Sequence, residues 1–336
     1  MIRLSLVVGQ DDLNIAIGAV ICRDIADSNT NGSVSLRRGA VVDEAVVAAL
    51  SGLSGLRLDV VKAEAGEISQ SEASWRTASA IVGPGVRVEP PHQGQCILRA
   101  EESGLLRVDP RLVTRLNKET SILLATALDG RLVARNEVVA IVKASGLWVN
   151  EERLPKAIDT PLVHVAPLTG SQVALVAGSR IRSANVAAAS KSLRTTLAPL
   201  GANLIDVRGT TDDPNSIAHA LQEYVVRGVD VVLIAGSIVL DPGDPFLLAV
   251  EKLSGRIVCR GAPIDPGTMF WVGYIGQTVL FGLASCELYG RLSILDLMLP
   301  YALARQPITA KLCSQLGYGG LLEQTFAARR SGAVFD

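Results

Sequence analysis

Aromatic residues are scarce in this chain, 4% of 336 positions, while hydrophobic residues as a whole make up 49%. A core must then be filled by Ala, Val, Leu and Ile, the usual packing of α/β domains, and no stacking platform for nucleic-acid bases is on offer. Charge imbalance is also missing. With 32 Lys plus Arg against 33 Asp plus Glu, the net charge of -1 provides no field to recruit DNA, RNA or an anionic membrane. Histidine occurs three times, and His92 has no Cys, Asp or second His at ligand spacing. His164 and His219 lie outside any G-x-S-x-G context, so a Ser-His-Asp arrangement has no motif behind it. The cysteines, Cys22, Cys96, Cys259, Cys286 and Cys313, are odd in number, far apart and form no C-x-x-C pair. Neither a disulfide framework nor a zinc site follows, and a reducing cytoplasm fits best. There is no G-x-x-x-x-G-K-[ST] and no G-x-G-x-x-G, hence neither a P-loop nor a dinucleotide fingerprint.

Long apolar runs are few. The opening MIRLSLVVGQDDL carries too short a run to act as a signal peptide. Met269 to Cys286 reaches the 18 residues of a minimal membrane span, but Gly273, Gly276 and Gly282 interrupt it. Gly276-Gln277 suits a turn between two buried strands, and that reading is preferred to a span.

The stretch Asp230 to Pro245, DVVLIAGSIVLDPGDP, supplies the strongest pattern. Val231 to Ala235 form the continuous apolar run of a strand covered on both faces. Gly236-Ser237 ends it with little bulk, and Asp244-Pro245 signals a helix start: a capping acceptor, then a proline where no amide is needed. Around it the pattern is regular. Strands are expected at Gln172 to Ala177 and Ala202 to Val207, and helices from Val186 and from Asp213-Pro214. Further strands at Arg256 to Arg260, Phe270 to Tyr274 and Thr278 to Leu283, with a closing helix from Glu287 to Ala304, complete a three-layer αβα domain on a mostly parallel sheet.

The front of the chain is less regular. Ile2 to Val8, Gly18 to Ile25 and Leu56 to Val61 read as strands around a helix that Asp43 caps, and Arg37-Arg38 reads as a solvated corner more readily than as a phosphate site. The polar stretch from Glu67 to Ser79 suggests a boundary near residue 70. Four segments are therefore expected: an α+β unit over 1–70, a β-rich unit over 71–166, the α/β domain over 167–305 and an extension over 306–336.

Ligands of open α/β sheets bind at the carboxyl ends of the strands. That places Gly178-Ser179, Thr210 to Asp213 and Gly236 to Asp244 at one edge, where loop amides and helix starts can hold phosphate. Asp212, Asp213, Asp241 and Asp244 are the carboxylates there, and Mg²⁺ prefers one or two carboxylates beside substrate phosphates. Capping alone accounts for Asp213 and Asp244. Cys286 follows an apolar strand before a helix, a place that can lower a thiol pKa, although a buried structural cysteine is the simpler reading.

With these residues in view, the regular half resembles the molybdopterin-binding domain of molybdenum cofactor biosynthesis proteins. Gly236 to Asp244 and Asp212-Asp213 occupy the places of that family's glycine-rich loop and Asp-Asp helix start. Gly261-Ala262-Pro263-Ile264-Asp265-Pro266-Gly267 is similar to the G-x-P-x-D-P-G stretch of bacterial members fused to nucleotidyltransferases, and Ala284-Ser285-Cys286 stands where they have a Pro-Gly-Cys-like turn. Gly18 to Ile25 followed by Leu36 to Gly39 and the Asp43 helix is similar to their opening, as is Gly83 to Pro91, so the likeness covers nearly the whole chain to about residue 305. It implies molybdopterin or molybdenum cofactor as ligand, held by Gly178, Ser179, Asp213, Gly236, Ser237, Pro242, Gly243, Pro266, Gly267 and Cys286. Asp212 and Asp244 would be the catalytic and Mg²⁺-binding pair. It further implies a homodimer or larger, serving molybdoenzymes or other cofactor-maturation proteins. Two departures stand out: Ser237-Ile238-Val239 replaces the loop's second glycine and its Thr-Gly or Val-Ser, and Ser179 replaces an aspartate. Both favour binding over catalysis. A nucleotide or pyrophosphate hydrolase, or a non-catalytic scaffold for molybdoenzyme maturation, are the alternatives.

Overall fold

A continuous apolar run forms a stable strand only when both its faces are covered, and such runs make the centre of the carboxyl-terminal half. The computed structural model describes residues 1–26, 34–155, 160–283 and 292–322. Its contacts divide the chain into two units, Met1–Val165 and Ala166–Asp336.

The second unit contains strands β1 (Gln172–Ala177), β2 (Asn203–Gly209), β3 (Val231–Ala235), β4 (Arg256–Arg260), β5 (Trp271–Ile275) and β6 (Thr278–Leu283). Its helices are α1 (Ser183–Leu197), α2 (Pro214–Val226), α3 (Pro245–Lys252), α4 (Ile294–Leu303) and α5 (Ala310–Gln315). The sheet order is β2-β1-β3-β6-β5-β4. The first four strands are parallel, and β5 and β4 follow antiparallel. Helices α2 and α3 pack on the face carrying Ala174, Val176, Val232 and Ile234. Val173, Leu175, Val231 and Leu233, which alternate with them, are fully buried as well, and α1 buries Ala189, Leu193 and Leu197. Three layers result.

The expected helix starts form as aspartate caps. Asp213 accepts the Ser216 amide at 2.8 Å, and Asp244 accepts those of Phe246 and Leu247 at 3.0 and 3.1 Å. The apolar run from Met269 becomes the β5–β6 hairpin, with Ile275 opposite Thr278 across Gly276-Gln277. Among the described residues no helix is long and apolar enough to cross a membrane. Of the closing helix expected from Glu287, residues 284–291 lie outside the described residues; the helix Ile294–Leu303 falls within it and starts at a capping box formed by Ser293 and Asp296.

In the first unit, Ile2–Val7, Arg57–Lys62 and Val20–Ile21 form one small sheet, and Ile122–Thr126, Val138–Ala144, Gln95–Ala100 and Val86–Val88 another. The polar stretch after Glu67 is a short strand and then a helix, Gln70–Ile81, capped by Ser69. Its buried face is Ala73, Ser74, Thr77, Ala78 and Ile81. Small residues let the helix sit close on the sheet. The Ser74 hydroxyl is satisfied there, donating to the Gly94 carbonyl at 2.8 Å and accepting the Ala144 amide at 3.0 Å.

Candidate functional site

From β1 the chain crosses outward to β2, then returns past β1 to β3, so the ends of β1 and β3 flank the point where strand order reverses. The loops close tightly here. Gly178 donates its amide to the Ala235 carbonyl at 2.9 Å. A Cβ on Gly178 would lie 3.0 Å from the Phe246 ring and 3.1 Å from Asp212 Oδ1. Gly236 has φ +98°, and its Cβ would meet Ile181 Cγ1 at 3.2 Å. Only glycine adopts that backbone without strain. Two antiparallel steps make β4 parallel to β6, so the loop carrying Asp265-Pro266-Gly267 emerges at this same edge.

Asp244 organises the loop after β3. It is fully buried. Oδ1 accepts from the Ser237 hydroxyl at 2.9 Å and from the Phe246 and Leu247 amides, and Oδ2 accepts the Ile238 amide at 2.7 Å. Ser237 Oγ in turn accepts Trp271 Nε1–H at 2.9 Å. The indole reaches it by lying over Gly282, its partner across the β5–β6 ladder, where a Cβ would stand 1.8 Å from Nε1. A buried relay thus runs from indole to hydroxyl to carboxylate. Ser237→Ala strands the indole N–H, and a loss of about 1–2 kcal/mol in urea unfolding is expected.

Asp212 ties two loops together, accepting the Ser179 amide at 3.1 Å and pairing with Arg180 Nε at 3.3 Å. Asp213 accepts both the amide and the hydroxyl of Ser216, the amide first, which holds its carboxyl below the ordinary carboxylate range. Asp241 accepts the Gly243 amide at 2.9 Å across Pro242. Val239 is buried, and Ile238 and Leu240 are exposed. The amides of Ser237, Val239 and Leu240 have no acceptor among the described residues. Beside these loops lies a cleft of about 620 Å³, lined by Gly178, Ser179, Ile181, Ser183, Thr210 and Thr211.

Gly267 has φ +121° and is packed so closely on α4 that a Cβ would lie 2.6 Å from Ile294 Cγ2. The carboxyl-terminal segment covers this loop, with Asp265 donating its amide to Gly320 and accepting that of Leu322. Cys286, with Ala284 and Ser285, lies outside the described residues. The expected Mg²⁺ pair does not match the donor set. Asp244 has four protein donors, and Asp212 is held by an amide and an arginine. Among the described residues no three His, Cys, Asp or Glu side chains stand close enough to share a metal ion. Sequence reasoning missed Trp271 and Gly282, whose pairing a lone tryptophan opposite a strand glycine could have signalled.

No protein-family model matches the chain, and no curated protein does. Among solved structures it is similar to the molybdopterin biosynthesis enzyme MoaB from Thermus thermophilus, at 17% identity over 39% of this chain and 91% of that one, TM-score 0.28. It is also similar to the molybdopterin biosynthesis MoeA protein from Pyrococcus horikosii, at 16% identity over 71% of this chain and 79% of that one, TM-score 0.31. A molybdenum cofactor biosynthesis protein from Pyrococcus furiosus gives 11% identity, 91% and 64% coverage, and TM-score 0.27. All three TM-scores lie below 0.5.

Proposed function

We propose that this chain binds molybdopterin or the molybdenum cofactor and acts in its maturation or delivery, in the cytoplasm and as a homodimer or larger assembly. The carrying observation is the loop after β3. Three amides without acceptors among the described residues, those of Ser237, Val239 and Leu240, sit in a segment that Asp244 fixes from beneath. Preorganised amides hold a phosphate without having to be ordered on binding. Gly236 contributes by letting the loop turn, Gly178, Ser179 and the Asp212–Arg180 clasp border the cleft, and the Pro266-Gly267 loop stands at the same edge. The full engagement of Asp244 favours a binding or scaffolding role over adenylyl transfer, which requires a metal-bridged phosphate.

Titration of the purified chain with molybdopterin and with its adenylylated form, with and without Mg²⁺, tests this reading. Saturable binding is expected that needs no Mg²⁺ and weakens roughly tenfold or more in Gly236→Ala, whose Cβ would strain the loop. Failure of both pterins to bind would defeat the proposal.

A further inference from the structure

The first unit holds a larger cleft, of about 980 Å³, at the upper end of the roughly 300–1,000 Å³ usual for small-molecule sites. Among the described residues its charged lining is one-sided: Arg23, Arg37 and Arg38 against Asp24. Arg23 is ion-paired with Asp59, which also accepts from Ser5 and Arg57. Asp24 accepts the backbone amide of Arg38 at 2.7 Å, which shapes the turn. Neither the Arg37 nor the Arg38 guanidinium has a carboxylate partner among the described residues, and both residues are exposed. Two exposed arginines side by side at a cleft present fork-shaped donors suited to phosphate.

The remaining walls are firm. Ser69, Gln70 and Ser71 begin the 12-residue helix Gln70–Ile81, where the Gln70 amide donates to the Leu147 carbonyl at 2.9 Å and the Glu72 amide to Ser69 Oγ, so the helix end adds its partial positive charge more than free amides. Gln93 and Gly94, at φ 51° and 77°, form a tight turn between His92 and Gln95, and the buried Ser74 hydroxyl holds its carbonyl. A Cβ on Gly94 would stand 2.1 Å from Gln70 Oε1, so turn and helix start are packed against each other. Val20, Val41, Leu147 and Trp148 supply apolar lining, and Trp148 is anchored by Nε1 donating to the Val61 carbonyl at 3.1 Å.

We infer that this cleft binds a small organic phosphate of nucleotide size, its phosphate at Arg37, Arg38 and the Gln70 helix start, its ring against Leu147 and Trp148. The site lies wholly in the first unit and does not depend on the pterin reading.

Calorimetric titration of the full chain with ADP, inorganic pyrophosphate and adenosine provides the test. ADP is expected to bind most tightly, pyrophosphate more weakly at the same site, and adenosine not measurably. The double variant Arg37→Ala/Arg38→Ala, both surface positions, should raise the Kd for ADP roughly tenfold or more with unchanged circular dichroism, and added NaCl should weaken binding to the parent chain. Three results would each overturn the assignment: no binding of any probe at millimolar concentration, ADP affinity indifferent to the double variant, or adenosine binding as well as ADP. Pyrophosphate equal to ADP would remove the ring from the proposal. None of these outcomes bears on Ser237 or Asp244, so the two sites stand or fall separately.

Discussion

Asp244→Ala is expected to lower the stability of the chain by about 3–5 kcal/mol, at the upper end for a single substitution. The carboxylate is fully buried and takes four donors, the amides of Ile238, Phe246 and Leu247 and the Ser237 hydroxyl. Loss of a helix cap alone costs about 1 kcal/mol. Each buried donor left without a partner adds about 1–3 kcal/mol, reduced where the loop relaxes toward water. Asp244→Asn should fall between, because its amide oxygen can keep the cap while the other position no longer accepts from Ile238. Urea unfolding followed by circular dichroism measures both. An alanine variant within 1 kcal/mol of the parent would contradict the four-donor arrangement. Asp213→Ala, which removes an exposed cap, should have a smaller effect.

The second large effect is expected at Gly282. A Cβ there would lie 1.8 Å from Trp271 Nε1 and 2.1 Å from Cε2, and the indole is fully buried. Neither partner can rotate away within a close-packed interior. Gly282→Ala should therefore cost about 3 kcal/mol or more, the severe end of overpacking, and displace the indole from Ser237. The readouts are an unfolding midpoint and a change in tryptophan fluorescence. A smaller ring opposite should relieve part of the clash, so Trp271→Leu combined with Gly282→Ala is expected to cost less than the sum of the two single changes. Strict additivity would show that the indole does not lie where the structure has it. At the proposed site, Gly282→Ala is also expected to weaken pterin binding without touching the ligand, through Ser237 and Asp244, as titration of the variant would show.

These two residues mark where the sequence was and was not legible. The strand Gln172–Ala177 and the cap Asp244-Pro245 could be read directly, because an apolar run and an Asp-Pro pair depend on neighbours in sequence. The helix Gln70–Ile81 could not. Its buried face is built of Ala, Ser and Thr, whose burial reflects close approach to a sheet rather than their own hydrophobicity. Ile238 and Val239 looked like a uniform departure from a glycine-rich loop. In the structure they separate, Val239 into the core and Ile238 toward solvent.

The sequence by itself determined the layered α/β half, its caps, the hairpin at Gly276-Gln277 and the loops that meet at one sheet edge. Local pattern and strand alternation are sufficient for each of these. Only the tertiary structure decided what the carboxylates do. Whether Asp244 faces a metal, a ligand or four protein donors depends on Ser237, and Ser237 depends on Trp271 crossing Gly282 from a neighbouring strand. The hairpin register sets Trp271 opposite Gly282, but Ser237 and Trp271 are distant in the chain and adjacent only across the sheet, so no spacing in the sequence records their contact.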